Sequence, residues 1–529
     1  MAERVERTGA DRVRYRFSPL ERRGVIAGWR GGQIASVAVG LVFGVLALRW
    51  RPSAGGILLA LTATGAGVAV AFWPVHGRTG EQWLPLLARW LWSTTAGGRR
   101  QSAPAPREGH RIVVDRHGSQ TAAPGARTIR TRPTTRRPGV FDALSLTGAP
   151  FGPEPSAPQV GVIVDRRSRT ATAVLAVRGH SFALLGPGDQ DSRIAAWARV
   201  LSALAREGSE VHRIQWIESC LPDDGSAVRR HCARHAVLDP ESPAVSSYQS
   251  LVAESSPVTR RHQVLLGLSI HTARSARSIR ASGRGMAGIG AVLGREVLAL
   301  HQALDGAEVS VAGVLGPGAL ARVMAQAWAP MRDTVEGSEP GTSSEPRPTG
   351  DRHPDDPAPL WPWPMATEPE WDSVHTDATW HATYWIAEWP RVDVTPDFLG
   401  PLLFSPLRRS IALTMEPVSP SRAARQVAKA RTADLADGEL RRRGGFLVTA
   451  RHTREKESVE ARDGELADGH AQYRFSGYVT VTAETRGELT SACAAVEQAA
   501  GQARIEIRLL YGEQDEAFAC SLPLCRGLS

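Results

Sequence analysis

Lysine is nearly missing from this chain. Lys429 and Lys456 are the only two among its 63 basic residues, so arginine carries almost all of the positive charge. That scarcity excludes one class of chemistry. A P-loop places the lysine of GxxxxGK[ST] on the β- and γ-phosphates, and here the two lysines follow Ala428 and Glu455 rather than glycine. Nucleotide hydrolysis by that route is therefore not expected.

Cysteine is also scarce. Cys220, Cys232, Cys493, Cys520 and Cys525 are odd in number and widely spaced over 529 residues, which argues against a secreted disulfide framework and for a reduced, cytoplasmic setting. His231-Cys232-Ala233-Arg234-His235 reads as a loop, because no second Cys/His pair stands at zinc-ligand spacing. HExxH, paired CxxC and EF-hand spacings do not occur. Gly283-Arg284-Gly285-Met286-Ala287-Gly288 matches GxGxxG. However, its preceding strand ends about eleven residues earlier, and a dinucleotide site needs the glycines at the strand-to-helix turn. Gly267-Leu268-Ser269-Ile270-His271 resembles a nucleophile elbow but ends in histidine and lies inside an expected strand. No catalytic residue, cofactor or metal site is expected.

What the chain has is arginine concentrated at one end. Residues 1–140 hold 22 arginines against 7 acids, so although the whole carries +9, the remainder is net acidic. Abundant Ala, Gly and Arg read as a GC-rich, actinobacterial genome. Within the basic quarter lie two uncharged apolar runs, Gly32 to Leu48 and Ala54 to Val75. A bilayer core of about 30 Å needs roughly 20 helical residues, so both runs are expected to span it. A signal peptide is not expected, because some thirty charged and polar residues precede the first run and a second follows at once.

The connection between the runs is too short for anything but an antiparallel hairpin, which puts both flanks on one side of the membrane. Arg12, Arg14, Arg16, Arg22, Arg23 and Arg30 precede the hairpin. Arg78, Arg89, Arg99 and Arg100 follow it, against Arg49 and Arg51 in the turn. The positive-inside rule then makes both termini cytoplasmic. Trp29, Arg30, Trp50, Trp73 and Arg78 stand where side chains anchor at the headgroups. Ser36, Gly40 and Gly44, with Ala63, Gly67 and Ala71, repeat every four residues and form smooth stripes for close helix packing, against each other or against a partner's helix. Trp83, Leu84, Leu87, Trp90 and Leu91 recur at helical spacing and suit a helix on the membrane surface or docked to the soluble core.

The expected fold class is α+β: an N-terminal two-helix transmembrane hairpin followed by mixed α/β modules, the last ferredoxin-like (βααβαβ). A basic cytoplasmic tail covers 1–31. The hairpin covers 32–75, with helices at about 32–50 and 54–75. A juxtamembrane helix and Arg/Pro-rich linker fill 76–140. An α/β domain spans 141–330, a flexible insert 331–360, and a tryptophan-rich seam with the ferredoxin-like domain 361–529. In the first domain a hairpin flanks Arg166 to Arg169. A helix capped by Asp189 or Asp191 follows, then strands at His212 to Glu218, His262 to His271 and Glu308 to Leu315, with a helix from Met286 to Leu304. In the last, strands at Ser410 to Met415, Tyr473 to Thr482 and Ala503 to Leu510 alternate with helices. Trp361, Trp363, Trp371, Trp380, Trp385 and Trp389 are expected to bury a domain seam. The linker arginines suit anionic lipid, and nucleic acid is disfavoured because no aromatic residues interleave with them.

Tyr15-Arg16-Phe17 with Pro19, the two apolar helices, GVIVDRRSRTATAVLAVRG, SRIAAWARVLSALAREGSEVHRIQWIE and the ending RFSGYVTVTA…LPLCRGL together resemble a family of actinobacterial integral membrane proteins. Its members sit in conjugation-like gene clusters beside PrgI-family proteins and TrbE/CagE-class secretion ATPases. The soluble part also resembles the N-terminal, non-motor half of those ATPases. The resemblance implies a scaffold in a type IV-like secretion channel, part of a hetero-oligomeric membrane complex with a separate ATPase and a small PrgI-like protein. Two other classes remain: an EccE-like component of type VII secretion, and a membrane-tethered hydrolase using Ser269, which would need a converging acid and base.

Overall fold

The computed structural model describes residues 17, 31–50, 52–75, 78–95, 101–102, 139–152, 158–179, 182–222, 242–255, 260–328, 362–444 and 450–528. Two apolar helices open it, α1 (Gly31–Trp50) and α2 (Ala54–Phe72). The Ser53 hydroxyl accepts from the Gly56 amide to start α2. That helix ends before the expected Val75, because Pro74 forces the residue preceding it into extended geometry (Trp73 φ −74°, ψ 113°). A two-strand ribbon, β1 (Pro74–Val75) with β2 (Arg78–Thr79), leads into α3 (Gly80–Thr95).

Beyond α3 the described residues form a 13-stranded sheet. It begins with β3 (Gln101–Ser102), β4 (Leu144–Pro150), β5 (Gln159–Asp165), β6 (Thr170–Arg178), α4 (Pro187–Leu204), β7 (Val211–Pro222), α5 (Pro243–Ser255), β8 (Arg260–His271), α6 (Ala276–Ala281), α7 (Gly285–Asp305), β9 (Ser310–Val314) and α8 (Pro317–Trp328). It continues with β10 (Ala366–Pro369), β11 (Val374–Thr376), β12 (Thr379–Glu388), α9 (Gly400–Leu403), β13 (Arg409–Val418), α10 (Pro420–Gly444), α11 (Ala450–Ala467), β14 (Gln472–Ala483), α12 (Arg486–Gln502), β15 (Glu506–Leu509) and α13 (Gln514–Cys520). Helix α4 starts at Pro187 on Gly186, so neither Asp189 nor Asp191 caps it.

The two halves have one topology. In the first, β6 pairs with β5 through Thr170 to Ala173 and with β9 through Leu175 to Arg178, while its other side meets β8, which meets β7. In the second, β12 pairs with β11 through Thr379 to His381 and with β15 through Tyr384 to Glu388, while its other side meets β14, which meets β13. Both late strands join across a register shift. Equivalent strands β7 and β13 then pair antiparallel from Arg409↔Cys220 to Met415↔Ile214, the relation that a local twofold perpendicular to the sheet produces. The regions 141–330 and 361–529 share one sheet, and β15 joins β12, so the strands of the second half run β15-β12-β14-β13 with every pair antiparallel.

Both faces are covered, which is why β6 reads TATAVLAV with almost no polar interruption. On one face α4 and α7 pack over the first repeat, and α9 and α12 over the second. A Thr485/Glu488 capping box fixes the start of α12. On the other face α8, α13 and Leu522 and Leu524 build one core that both repeats share. The C-terminal strap crosses the seam there. The Gln215 side chain donates to the Cys520 carbonyl and accepts from the Cys525 amide, Thr414 donates to the Arg526 carbonyl, and Arg213 donates to the carbonyls of Cys525 and Leu528.

Arg526 closes the strap with two bonds to one Asp165 oxygen, at 2.9 and 2.7 Å. Burial alone would raise the Asp165 carboxyl, but the Arg526 guanidinium and the Ser168 contacts hold it below its ordinary value. Removing one partner of a buried pair leaves the other uncompensated. Arg526→Ala should therefore cost about 2 to 4 kcal/mol in thermal or denaturant unfolding, and a loss within about 0.5 kcal/mol would refute the strap's role.

His381 is fully buried, stacks on Phe518 at 4.2 Å and contacts the hydroxyls of Thr376, Thr379 and Thr482. Desolvation, then the charges of His375 and Arg408, lower its pKa to about 3. An unfolded histidine titrates near 6.5, so below that pH the unfolded chain binds a proton that the folded chain refuses, and stability falls with pH, by about 2 kcal/mol at pH 5. The melting midpoint should drop between pH 7 and pH 5, and His381→Asn should flatten part of that slope. His212, lowered to about 4 by desolvation first, keeps another share. An unchanged slope in the variant would rule this out.

Candidate membrane interface

At 1.5 Å per residue α1 and α2 are about 30 and 28 Å long, which matches a hydrocarbon core. Both are long and apolar enough to cross a membrane, and little of either is buried. Val42, Phe43, Leu46, Leu58 and Leu61 point outward. The small-residue stripes face each other. A Cβ on Gly40 would meet the Ala63 carbonyl at 3.0 Å, one on Gly67 the Ser36 carbonyl at 2.8 Å and the Gly40 Cα at 3.0 Å, and one on Gly44 the Thr64 hydroxyl at 2.9 Å. Ala71 is fully buried, and its carbonyl accepts from the Gln33 amide. The structure thus fills both stripes from within the hairpin.

Trp50 and Trp73 stand at opposite ends of the hairpin, 89% and 69% exposed, where amphipathic rings favour the headgroup layer. Arg78 instead turns to the α/β body, pairing with Glu513 at 3.1 Å and lying over the Trp83 ring at 5.7 Å. Trp29 and Arg30 lie outside the described residues, as do Trp361, His231, Cys232 and His235.

Helix α3 carries two apolar faces. Trp83 and Trp90, seven residues apart and so on one side, dock on Trp371 at 5.8 and 5.1 Å, and Trp83 also meets Tyr511. Arg89 adds an ion pair to Glu516. Leu84, Leu87, Leu91 and Trp92 sit on the neighbouring arc and are exposed. On the other flank of the hairpin, Phe17 stacks on Trp389 at 5.3 Å and against Phe398 at 5.5 Å. The tryptophan-rich stretch thus divides its work. Trp363 enters the shared core, Trp380 and Trp389 pack on the second repeat, and Trp371 receives α3. Nothing in sequence spacing pointed to Trp371, Tyr511, Glu513 or Glu516 as the seat for α3. For Phe17 the signal was an aromatic pair, Tyr15 and Phe17, in an arginine-rich tail.

The remaining chemical candidates do not converge. Ser269 is fully buried within β8 and donates to the Arg213 carbonyl at 3.2 Å. Helix α6 separates β8 from Gly283, so that glycine run does not sit at a strand-to-helix turn. Burial pushes the Cys520 and Cys525 thiols up to about 12. No His/Cys/Asp/Glu group among the described residues has metal-binding geometry. No protein-family model matches the chain, and no curated protein matches it.

The hairpin geometry yields a direct comparison. Gly67→Leu should push the helices apart and lower the melting temperature of the detergent-solubilised protein, whereas Gly65→Leu, whose Cβ meets nothing within 4 Å, should not. Equal effects from both would contradict the packing.

Proposed function

We propose that the chain is a membrane-anchored scaffold subunit of a type IV-like, conjugation-type secretion apparatus. It docks a separate secretion ATPase, beside a small PrgI-like membrane protein, at the cytoplasmic face of the cell membrane. The family resemblance of the hairpin, the GVIVDRRSRTATAVLAVRG strands and the LPLCRGL ending supports the assignment. The ending is the strap that crosses the seam of the sheet.

The observation that carries the reading is the double-faced helix α3. Its tryptophan face is held by Trp371 and Tyr511, and its Leu84, Leu87, Leu91 and Trp92 face is open. A short helix joined to a membrane hairpin and apolar on its free side suits the headgroup boundary. It would hold the body against the bilayer rather than on a loose tether. Phe17 from one flank and Arg78 and Trp83 from the other reach the same body. This supports a common side for both flanks, and the arginine asymmetry makes that side cytoplasmic. The hydrolase alternative gains nothing from Ser269, whose hydroxyl lies in the sheet core.

Affinity purification from native membranes in mild detergent tests the proposal. The eluate should contain a TrbE/CagE-class ATPase in an assembly larger than the monomer. A type VII ATPase would transfer the chain to the EccE-like class, and a folded, solitary monomer would sink the scaffold reading.

A further inference from the structure

The face of the sheet shared by α8 and α13 is not apolar throughout. Pair registers place Gln263, Ser219, Ser410, Thr480 and Thr383 in one row across β8, β7, β13, β14 and β12. Polar side chains in a covered sheet face are costly unless they are hydrogen-bonded. Most of this row satisfies itself: Thr383 bonds Thr480 at 2.8 Å, Thr480 donates to Ser521, and Ser521 donates to the Phe518 carbonyl. Ser219 and Ser410 share a single bond at 2.9 Å, which uses one of their two hydroxyl hydrogens and leaves the other.

Beside that pair the chain leaves a cavity of about 40 Å³ between the seam strands, α8 and the C-terminal strap. Gln263, Gln326, Ser219, Ser410 and Arg408 line it, and no carboxylate among the described residues does. Arg408 supplies the second observation. Its Nη2 reaches Glu484 at 3.4 Å on the outer side, while its Nη1 is buried without a hydrogen-bond partner among the described residues. An arginine fork with one arm unfilled, next to a spare hydroxyl hydrogen and two amides, is a set of donors in search of an acceptor.

We propose that this cavity is an oxyanion site that takes one phosphate-sized group between Arg408, the Ser219/Ser410 pair and the Gln263 and Gln326 amides. About three water-sized centres fit the volume, enough for a tetrahedral oxyanion and too little for a nucleoside. Guanidinium with hydroxyl and amide donors is the chemistry that recognises phosphate oxygens. The group is free inorganic phosphate or the phosphate end of a monoester, and the two differ in what must fit through the mouth of the cavity.

The test uses the full-length protein in detergent at constant ionic strength, titrated with inorganic phosphate, with glycerol phosphate as a simple monoester, and with chloride as control. Inorganic phosphate should raise the melting midpoint saturably by a few degrees where chloride does not. A matching response to glycerol phosphate would assign an open mouth and a monoester source, and its absence would assign free phosphate. Arg408→Gln should abolish the response, and Ser410→Ala, which keeps the guanidinium, should weaken the apparent affinity several-fold with folding intact. Equal midpoints in phosphate and chloride for the unaltered protein, or an undiminished phosphate response in both variants, would overturn the site.

Discussion

Seven residue pairs, Arg409↔Cys220 to Met415↔Ile214, join β7 to β13 and turn two topologically equivalent halves into one sheet. The tertiary structure hangs on this seam. Without it each repeat would expose a strand edge, and an unpaired edge invites association with another chain. The C-terminal strap binds Gln215 and Arg213 on one side of the seam and Thr414 on the other. The α8/α13 core draws residues from both repeats. The ion pair across β7 and β13, Arg409 with Glu218, is buried as well, and His262 approaches Glu218 at 2.6 Å.

The seam also sets where the apolar hairpin attaches. The seats for α3 and Phe17 are Trp371, Tyr511, Glu513, Glu516, Trp389 and Phe398, all in the second repeat. The first repeat is carried mainly through β13. Magnitudes decide which contacts matter in that attachment. The Arg78–Glu513 and Arg89–Glu516 pairs are partly or largely solvated and contribute about 0 to 1 kcal/mol each. The stacked Trp83 and the edge-on Trp90 add about 0.5 to 1.5 kcal/mol each against Trp371 beyond the area they bury. Aromatic packing, not charge, holds α3, so its attachment should be largely insensitive to salt. Helices α10 and α11 carry a small core of their own, Val427, Ala430 and Val459 with Leu466.

Much of this architecture was legible along the chain, because periodicity is a local signal. The strands at His262 to His271 and Tyr473 to Thr482, the helix ending at Leu304 and the apolar hairpin announce themselves within windows of a dozen residues. The twofold repeat was not legible, since equivalent positions such as Leu175 and Tyr384 share a register and a buried environment but no residue identity. The pairing behind the ferredoxin-like expectation was hidden for a related reason. A βααβαβ order fixes which elements exist, while the choice of β12 as the partner of β15 is made by strands 120 residues apart. At the membrane the small-residue stripes were readable and their partner was not, because Ser36, Gly40 and Gly67 fit a neighbouring protein's helix as well as each other. The cavity at Arg408 could not be read either, as it exists only where three cross-strand registers align Gln263, Ser219, Ser410 and Thr480.

We propose that one α/β body grips both flanks of a membrane-spanning hairpin from inside the cell. Epitope tags on the two termini, followed by protease treatment of intact spheroplasts and of lysed ones, test it most directly. Both tags should survive until lysis and then disappear together. Removal of either tag from the outside of intact cells would contradict the account.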